Sequence, residues 1–145
     1  MNLLIFQQYQ RGSREWKQAI LLRRRELRIP LGLDYSEADL ASEAKEWHFA
    51  ALTRGRLVAS LNMKPAGPGV WKMRQVVVHP RLRGQGIGSN LVRFSEEAAC
   101  RHGIRRVVLH ARANVVPFYE SLGYVADGPE FFEVSIAHRR MHRLL

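Results

Sequence analysis

The stretch Gln75-Val76-Val77-Val78-His79-Pro80-Arg81-Leu82-Arg83-Gly84-Gln85-Gly86-Ile87-Gly88-Ser89 decides how this chain is read. Its first half is a β-branched run stopped by a proline, the pattern of a buried strand end. Its second half is a short basic loop that leads straight into a helix. Ile87, Leu91, Phe94 and Ala98 recur there at helical spacing until Gly103 ends the pattern. Glycines at 84, 86 and 88 let the backbone come close to a bulky ligand. The free N–H groups of the first helical turn, at the positive end of the helix dipole, favour an anion. Arg81 and Arg83 add charge beside them. Physically this describes a pyrophosphate cradle; a plain glycine turn for chain reversal is the alternative. No Gly-Lys-Ser/Thr follows, so it is not a Walker loop. Three antiparallel-looking strands precede it, so it is not the first turn of a dinucleotide-binding βαβ unit either.

Outward from this stretch the periodicity changes several times. Residues 3–9 read as a strand and 14–28 as a helix that Pro30 and Gly32 end. Ser36 and Asp39 form a capping pair that starts a short helix reaching about Lys45. Trp47 to Thr53 and Leu57 to Met63 flank Arg54-Gly55 as a hairpin. After the turn-rich Pro65-Ala66-Gly67-Pro68-Gly69 comes the strand Val70 to Val78. Beyond the long helix, Arg105 to Ala111 reads as a strand and Pro117 to Leu122 as a short helix. Tyr124-Val125 and Phe131 to Met141 form a closing hairpin across Asp127-Gly128-Pro129. The order β-α-α-β-β-β-α-β-α-β-β, with about seven strands and four helices, implies a mixed α/β (α+β) domain whose sheet carries helices on its faces.

The 145 residues form one domain, 1–145, without an internal repeat or linker. With 46% hydrophobic and 25% charged residues the chain needs no disulfide or metal staple. No apolar run approaches the ~20 residues that span a bilayer, and Met1 to Gln7 lacks the features of a signal peptide. A cytoplasmic protein with no membrane partner is the expectation. Cys100 is the single cysteine, which excludes an internal disulfide and a Cys-cluster zinc site, and His102 has no partner at metal-ligand spacing, so no metal is expected. Lys plus Arg is 23 against 13 acidic residues, a net charge of +10. Such a balance fits an anionic partner: nucleic acid, membrane or a phosphorylated small molecule. No block of five like charges forms a basic tail.

Two segments carry a resemblance. Arg83-Gly84-Gln85-Gly86-Ile87-Gly88 resembles the Arg/Gln-x-x-Gly-x-Gly/Ala signature of the GNAT superfamily of N-acetyltransferases, and the strand end before it resembles that family's acetyl-CoA motif. Downstream, Asn114-Val115-Val116-Pro117-Phe118-Tyr119-Glu120-Ser121-Leu122-Gly123-Tyr124 is similar to the family's Asn-x-x-Ala-x-x-Phe-Tyr-x-x-x-Gly-Phe/Tyr segment. The two stand in the family's order and separation. The tail, Phe132 to Met141, is similar to the Glu-x-Gly-Ile-Pro-His-x-x-Met ending of a bacterial ElaA-like subgroup, with Ser135 and Ala137 in place of Gly and Pro.

The resemblance implies a mostly antiparallel mixed sheet, acetyl-CoA as acetyl donor, and an amine acceptor that attacks the thioester directly in a ternary complex. It implies that the N–H groups from Arg83 through Gly84, Gln85, Gly86, Ile87 and Gly88 to Ser89 hold the pyrophosphate, with Arg81 adding charge. The backbone of Val76, Val77 and Val78 would bind the pantetheine arm like an added strand, with an oxyanion donor near Val77. Asn114 would contact the same arm and Phe118 pack on it. Tyr119 falls on the family's tyrosine, proposed as the acid that protonates the leaving thiolate; a phenol with pKa about 10 can donate at neutral pH. Glu46, His48, His110, Glu133 and His138 are candidates for the base, with Glu133 and His138 ahead because the matching tail lies near the acceptor site.

Two other readings compete: a coenzyme A-binding sensor without turnover, and a basic nucleic-acid-binding module on the same scaffold. Against the latter, aromatics do not alternate with the basic residues, so nucleic acid is the less favoured partner. A homodimer is compatible with the fold. The acidic residues Glu37, Asp39, Glu43 and Glu46 offer a locally acidic acceptor pocket.

Overall fold

The computed structural model describes residues 3–145. The reading of Met1 to Gln7 as lacking a leader therefore begins on two residues, Met1 and Asn2, that lie outside the described part. Eight strands form one sheet: β1 (Leu4–Tyr9), β2 (Trp47–Thr53), β3 (Arg56–Pro65), β4 (Val70–Val78), β5 (Arg106–Arg112), β6 (Val125–Ala126), β7 (Phe131–Glu133) and β8 (Ile136–Leu144). The order is β1-β2-β3-β4-β5-β8-β6, with β7 paired to β8. Every pairing is antiparallel except β4 with β5. The four α-helices are α1 (Arg14–Arg23), α2 (Glu37–Ala41), α3 (Ile87–Arg101) and α4 (Val116–Ser121).

Local chemistry sets these boundaries. Ser13 caps α1, accepting the Trp16 N–H. Ser36 and Asp39 form the expected capping box, each side chain bonding the other's backbone N–H. The helix read over 14–28 loosens into a π-helical turn at Arg24–Arg28 before Pro30 and Gly32 stop it. The closing hairpin differs from the sequence expectation. Phe131 to Met141 is not one strand; it reverses at Val134-Ser135, both with positive φ, to give β7 and β8. Neither residue is the glycine or asparagine that such a turn favours, so the sequence carries no turn signal there.

The core lies on both faces of the sheet. α3 and α4 cover one face, where Phe49, Leu61, Met63, Trp71, Leu91, Leu109 and Met141 are buried together. α1 covers the other, burying Ala19 and Leu22 against Tyr9, Ala50, Leu52 and Val77. No helix among the described residues is long and apolar enough to cross a membrane.

Two irregularities in β4 make room for a site. β4 and β5 pair only from Val70–Arg106 to Met73–Leu109; beyond that the two parallel strands diverge. At the same level β4 carries a bulge, since Gln75 and Val76 oppose the single residue Leu61 between the pairs Asn62–Arg74 and Ser60–Val77. Gln75 sits at φ 57°, a left-handed conformation that costs a non-glycine residue about 1–2 kcal/mol. Its side chain is tied down in return: Tyr35 Oη donates to Gln75 Oε1 at 2.6 Å.

Candidate active site

A cleft of about 1100 Å³ runs from the N-terminus of α3, through the gap between β4 and β5, to the β7–β8 hairpin. At its first end Gly84 and Gly86 have φ of 76° and 82°, a conformation glycine adopts without steric cost. A Cβ at either position would meet nothing within 4 Å, so the backbone faces open space. Gly86 is the N-cap of α3 and supplies no side chain to the first turn, whose N–H groups are left for a ligand. Gly88 has another task. A Cβ there would lie 3.3 Å from Val78 Cγ2 and 3.5 Å from Phe118 Cζ, so its absence lets α3 close onto β4 and α4. Arg83 reaches across the loop, donating through Nε to Val78 O at 3.3 Å and pairing with Glu26 at 3.0 Å. Arg81 and Gln85 do not line the cleft.

In the middle of the cleft the strand edge is exposed. His79 donates its N–H to Val58 O on β3. Strand alternation then turns the N–H and C=O of Val77 toward β3 and those of Val78 into the gap. A donor into the gap thus comes from a neighbour of Val77 and not from Val77 itself. Tyr119 also lines the gap; it is buried, and burial pushes its phenol well above the ordinary tyrosine range. The hydroxyl therefore stays protonated at neutral pH. Asn114 and Phe118 line the same passage.

The far end is made of side chains from five strands. His110 on β5 lies 3.4 Å from Glu133 on β7 and 3.4 Å from Lys72 Nζ on β4. His138 on β8 approaches Glu133 at 3.7 Å and is otherwise buried against Phe131. Three of the five base candidates thus converge on the cleft. The other two do not. Glu46 and His48 belong to a buried network behind β4 and line a separate small cavity of about 180 Å³. In that network Arg23 and Glu43, both almost fully buried, form a two-pronged ion pair. Asn62 links Glu43, Glu46 and His48, and Glu46 pairs with Arg74 at 2.9 Å. Burial raises the Glu46 carboxyl and lowers the His48 imidazole. Glu43 and Glu46 are neutralised by arginines here, and Glu37 and Asp39 do not line the cleft, so the acidic acceptor pocket expected from α2 is not formed.

The sequence reading missed Lys64, Lys72, Arg74 and Gln75, all of which line the cleft. Lys72 and Arg74 left a trace, as polar residues at alternate positions in an apolar strand. The bulge at Gln75 left none.

An extended ligand with phosphates at one end fits these walls: an open glycine cradle at an uncapped helix start, continued by an unpaired strand edge. Residues 34–145 match the family model described as acetyltransferase (GNAT) domain. The chain belongs to the GNAT family. It is similar to the uncharacterized N-acetyltransferase YjcF of Bacillus subtilis, 33% identical over an 86-residue alignment that covers 54% of this chain and 61% of YjcF. The match thus covers about three-fifths of that relative. The fold is similar to Escherichia coli ElaA, with TM-score 0.80, 23% identity and coverage of 97% of this chain and 99% of ElaA. It is also similar to an aminoglycoside 6'-N-acetyltransferase complexed with coenzyme A, with TM-score 0.81, 17% identity and coverage of 97% and 96%.

Proposed function

We propose that this GNAT protein transfers an acetyl group from acetyl-CoA to an amine bound at the hairpin end of the cleft. The observation that carries the proposal is the continuous path from the uncapped start of α3 along the opened edge of β4 to the His110–Glu133–His138 cluster. The N–H groups between Gly84 and Ser89 hold the pyrophosphate, and Arg83 stands beside them. The Val78 N–H and the wall made by Asn114 and Phe118 hold the extended arm. Acetyl-CoA supplies the activated thioester.

The chain's own residues do the rest. Glu133, with His110 and His138, sits where an incoming ammonium must lose its proton, and takes it as the C–N bond forms. The C–S bond breaks with its electrons on sulfur, and Tyr119 Oη supplies the proton or hydrogen bond that the departing thiolate needs. Because burial makes Tyr119 a weaker acid than a free phenol, its first contribution is the hydrogen bond.

Thermal unfolding with and without acetyl-CoA tests the binding half, with single-stranded DNA as a control anion. Acetyl-CoA at 100 times its dissociation constant stabilises by about 2.7 kcal/mol, a rise of several degrees. A salt-sensitive rise with DNA alone would overturn the proposal. Tyr119→Phe tests the chemistry: turnover, followed by thiol release with an acetylated amine, falls about 100-fold while acetyl-CoA affinity holds. Full activity in that variant removes Tyr119 from the mechanism.

A further inference from the structure

The hairpin end of the cleft brings like charges together. Lys64 on β3 and Lys72 on β4 are direct register partners, so two ammonium side chains stand opposite each other on one face of the sheet. Like charges directly opposed across a strand pair are unfavourable. Arg74, two residues along the same face, adds a third positive charge, but it is committed to Glu46 at 2.9 Å. Lys72 points its Nζ at the His110 ring, 3.4 Å away, and Lys64 has no hydrogen-bond or ion-pair partner among the described residues. The nearest carboxylate facing this group from the hairpin is Glu133, which already lies beside both His110 and His138. The half-buried Lys72 ammonium is disfavoured by desolvation and by Arg74 and Lys64, and the Glu133 carboxylate offsets this only in part. Lys64, Lys72, Arg74, His110, Glu133 and His138 all line the same cleft.

The coenzyme's phosphates are not the missing anion. Lys72 is six residues before Val78 in β4, about 20 Å along the strand from the cradle at the start of α3. The lysines lie beyond the point where β4 and β5 part, on the side away from the cradle.

We propose that the acceptor is a small amine that carries its own anion, a carboxylate or a phosphate ester, and that Lys64 and Lys72 receive this anion while the amine lies at the His110–Glu133–His138 cluster. The inference rests on the acetyltransferase reading above and names the acceptor class for the same site. One negative charge between the two lysines relieves their repulsion, and the single carboxylate of Glu133 matches the single amine.

The test compares matched acceptors with acetyl-CoA in a thiol-release assay. Phosphoethanolamine against ethanolamine reports a phosphate; β-alanine against β-alaninamide reports a carboxylate. In at least one pair the anionic member has kcat/KM tenfold or more above its neutral partner, and added salt narrows the ratio. In the double variant Lys64→Met, Lys72→Met the ratio falls toward one. Equal rates within both pairs, or a preference for spermidine or a lysine-containing peptide, overturn the inference and leave the acetyltransferase reading standing. Where no member turns over, thermal shifts of the coenzyme A-saturated protein decide: the anionic members raise its melting temperature and their neutral partners do not, and no such difference overturns the inference. Failure of acetyl-CoA itself to bind removes the acetyltransferase reading, and the inference falls with it.

Discussion

The two ends of the cleft are built from different materials. The cradle at the start of α3 is backbone: two left-handed glycines, an uncapped helical turn and a glycine at 88 that lets the helix touch Val78 and Phe118. The hairpin end is side chain: a lysine pair, two histidines and a glutamate brought from β3, β4, β5, β7 and β8. Beneath it lies the buried polar network of Arg23, Glu43, Asn62, Glu46 and His48. A backbone site suits a chemical group that every member of a class shares, which in the proposed function is a pyrophosphate. A side-chain site can be rewritten one residue at a time. In the proposed function the cradle would serve the constant half of the reaction and the hairpin end the variable half.

The largest expected effect breaks the cradle and spares the rest. Gly86 has φ 82°, so any L side chain there is strained, and a glutamate also places a negative charge at the helix start. Gly86→Glu lowers acetyl-CoA affinity by about 1000-fold, roughly 4 kcal/mol, as measured by calorimetric titration. The far-UV circular dichroism stays native, because the added atoms point into open space. Unchanged affinity rejects the cradle assignment.

This contrast also explains what could be read in the sequence. The cradle is contiguous: fifteen residues in a row spell strand, stop, glycines and helix. Asn114 to Tyr124 is contiguous as well, and residues of both segments line the cleft, with Arg81 and Gln85 outside it. The capping pair at Ser36 and Asp39 and the limits of β4 were legible for the same reason. The hairpin end depends on register. Lys64 faces Lys72 because of the β3–β4 pairing, and Glu133 meets His110 because the chain turns at Val134-Ser135, which carry no turn signature. The bulge at Gln75 is held by Tyr35, forty residues earlier. Glu43 and Glu46 looked like a pocket lining because their arginine partners, Arg23 and Arg74, are distant in sequence.

A second variant attacks the floor of the hairpin end. Glu43 is almost fully buried and holds both prongs of the equally buried Arg23. Arg23 in turn lies 4.6 Å over the Tyr35 ring, whose hydroxyl fixes Gln75 at the bulge. Glu43→Gln leaves a buried guanidinium without its counter-charge, at a cost of about 3 kcal/mol. The melting temperature falls by about 10 °C for a chain of this size. Acetyl-CoA affinity at a temperature where the variant is folded changes little, since the cradle shares none of these residues. A loss of affinity as large as the loss of stability would show that the two ends are one cooperative unit.

The smallest effect separates the two ends by pH. His48 is buried, donates from Nδ1 to Asn62 Oδ1 at 3.2 Å, stacks on Tyr9, and has no hydrogen-bond partner at Nε2. Burial lowers its pKa, with Arg23 and Arg11 adding to the effect, against the Asn62 hydrogen bond and Glu43, which favour the protonated ring. In the unfolded chain the ring titrates near the ordinary value of about 6.5. Between that value and the lower folded one, the unfolded state holds more protons, so stability rises with pH in this window. It is fully present above about pH 6.5, falls as the pH drops below that, and stops falling once the folded ring also protonates. Melting temperatures of the native chain and of His48→Gln, measured from pH 8 to pH 5, converge at the acid end if this group is responsible. A constant difference across the range would assign the acid sensitivity elsewhere. The Gly86→Glu protein, altered only in the cradle, keeps the native pH profile of stability, because no titrating residue of the network touches that loop.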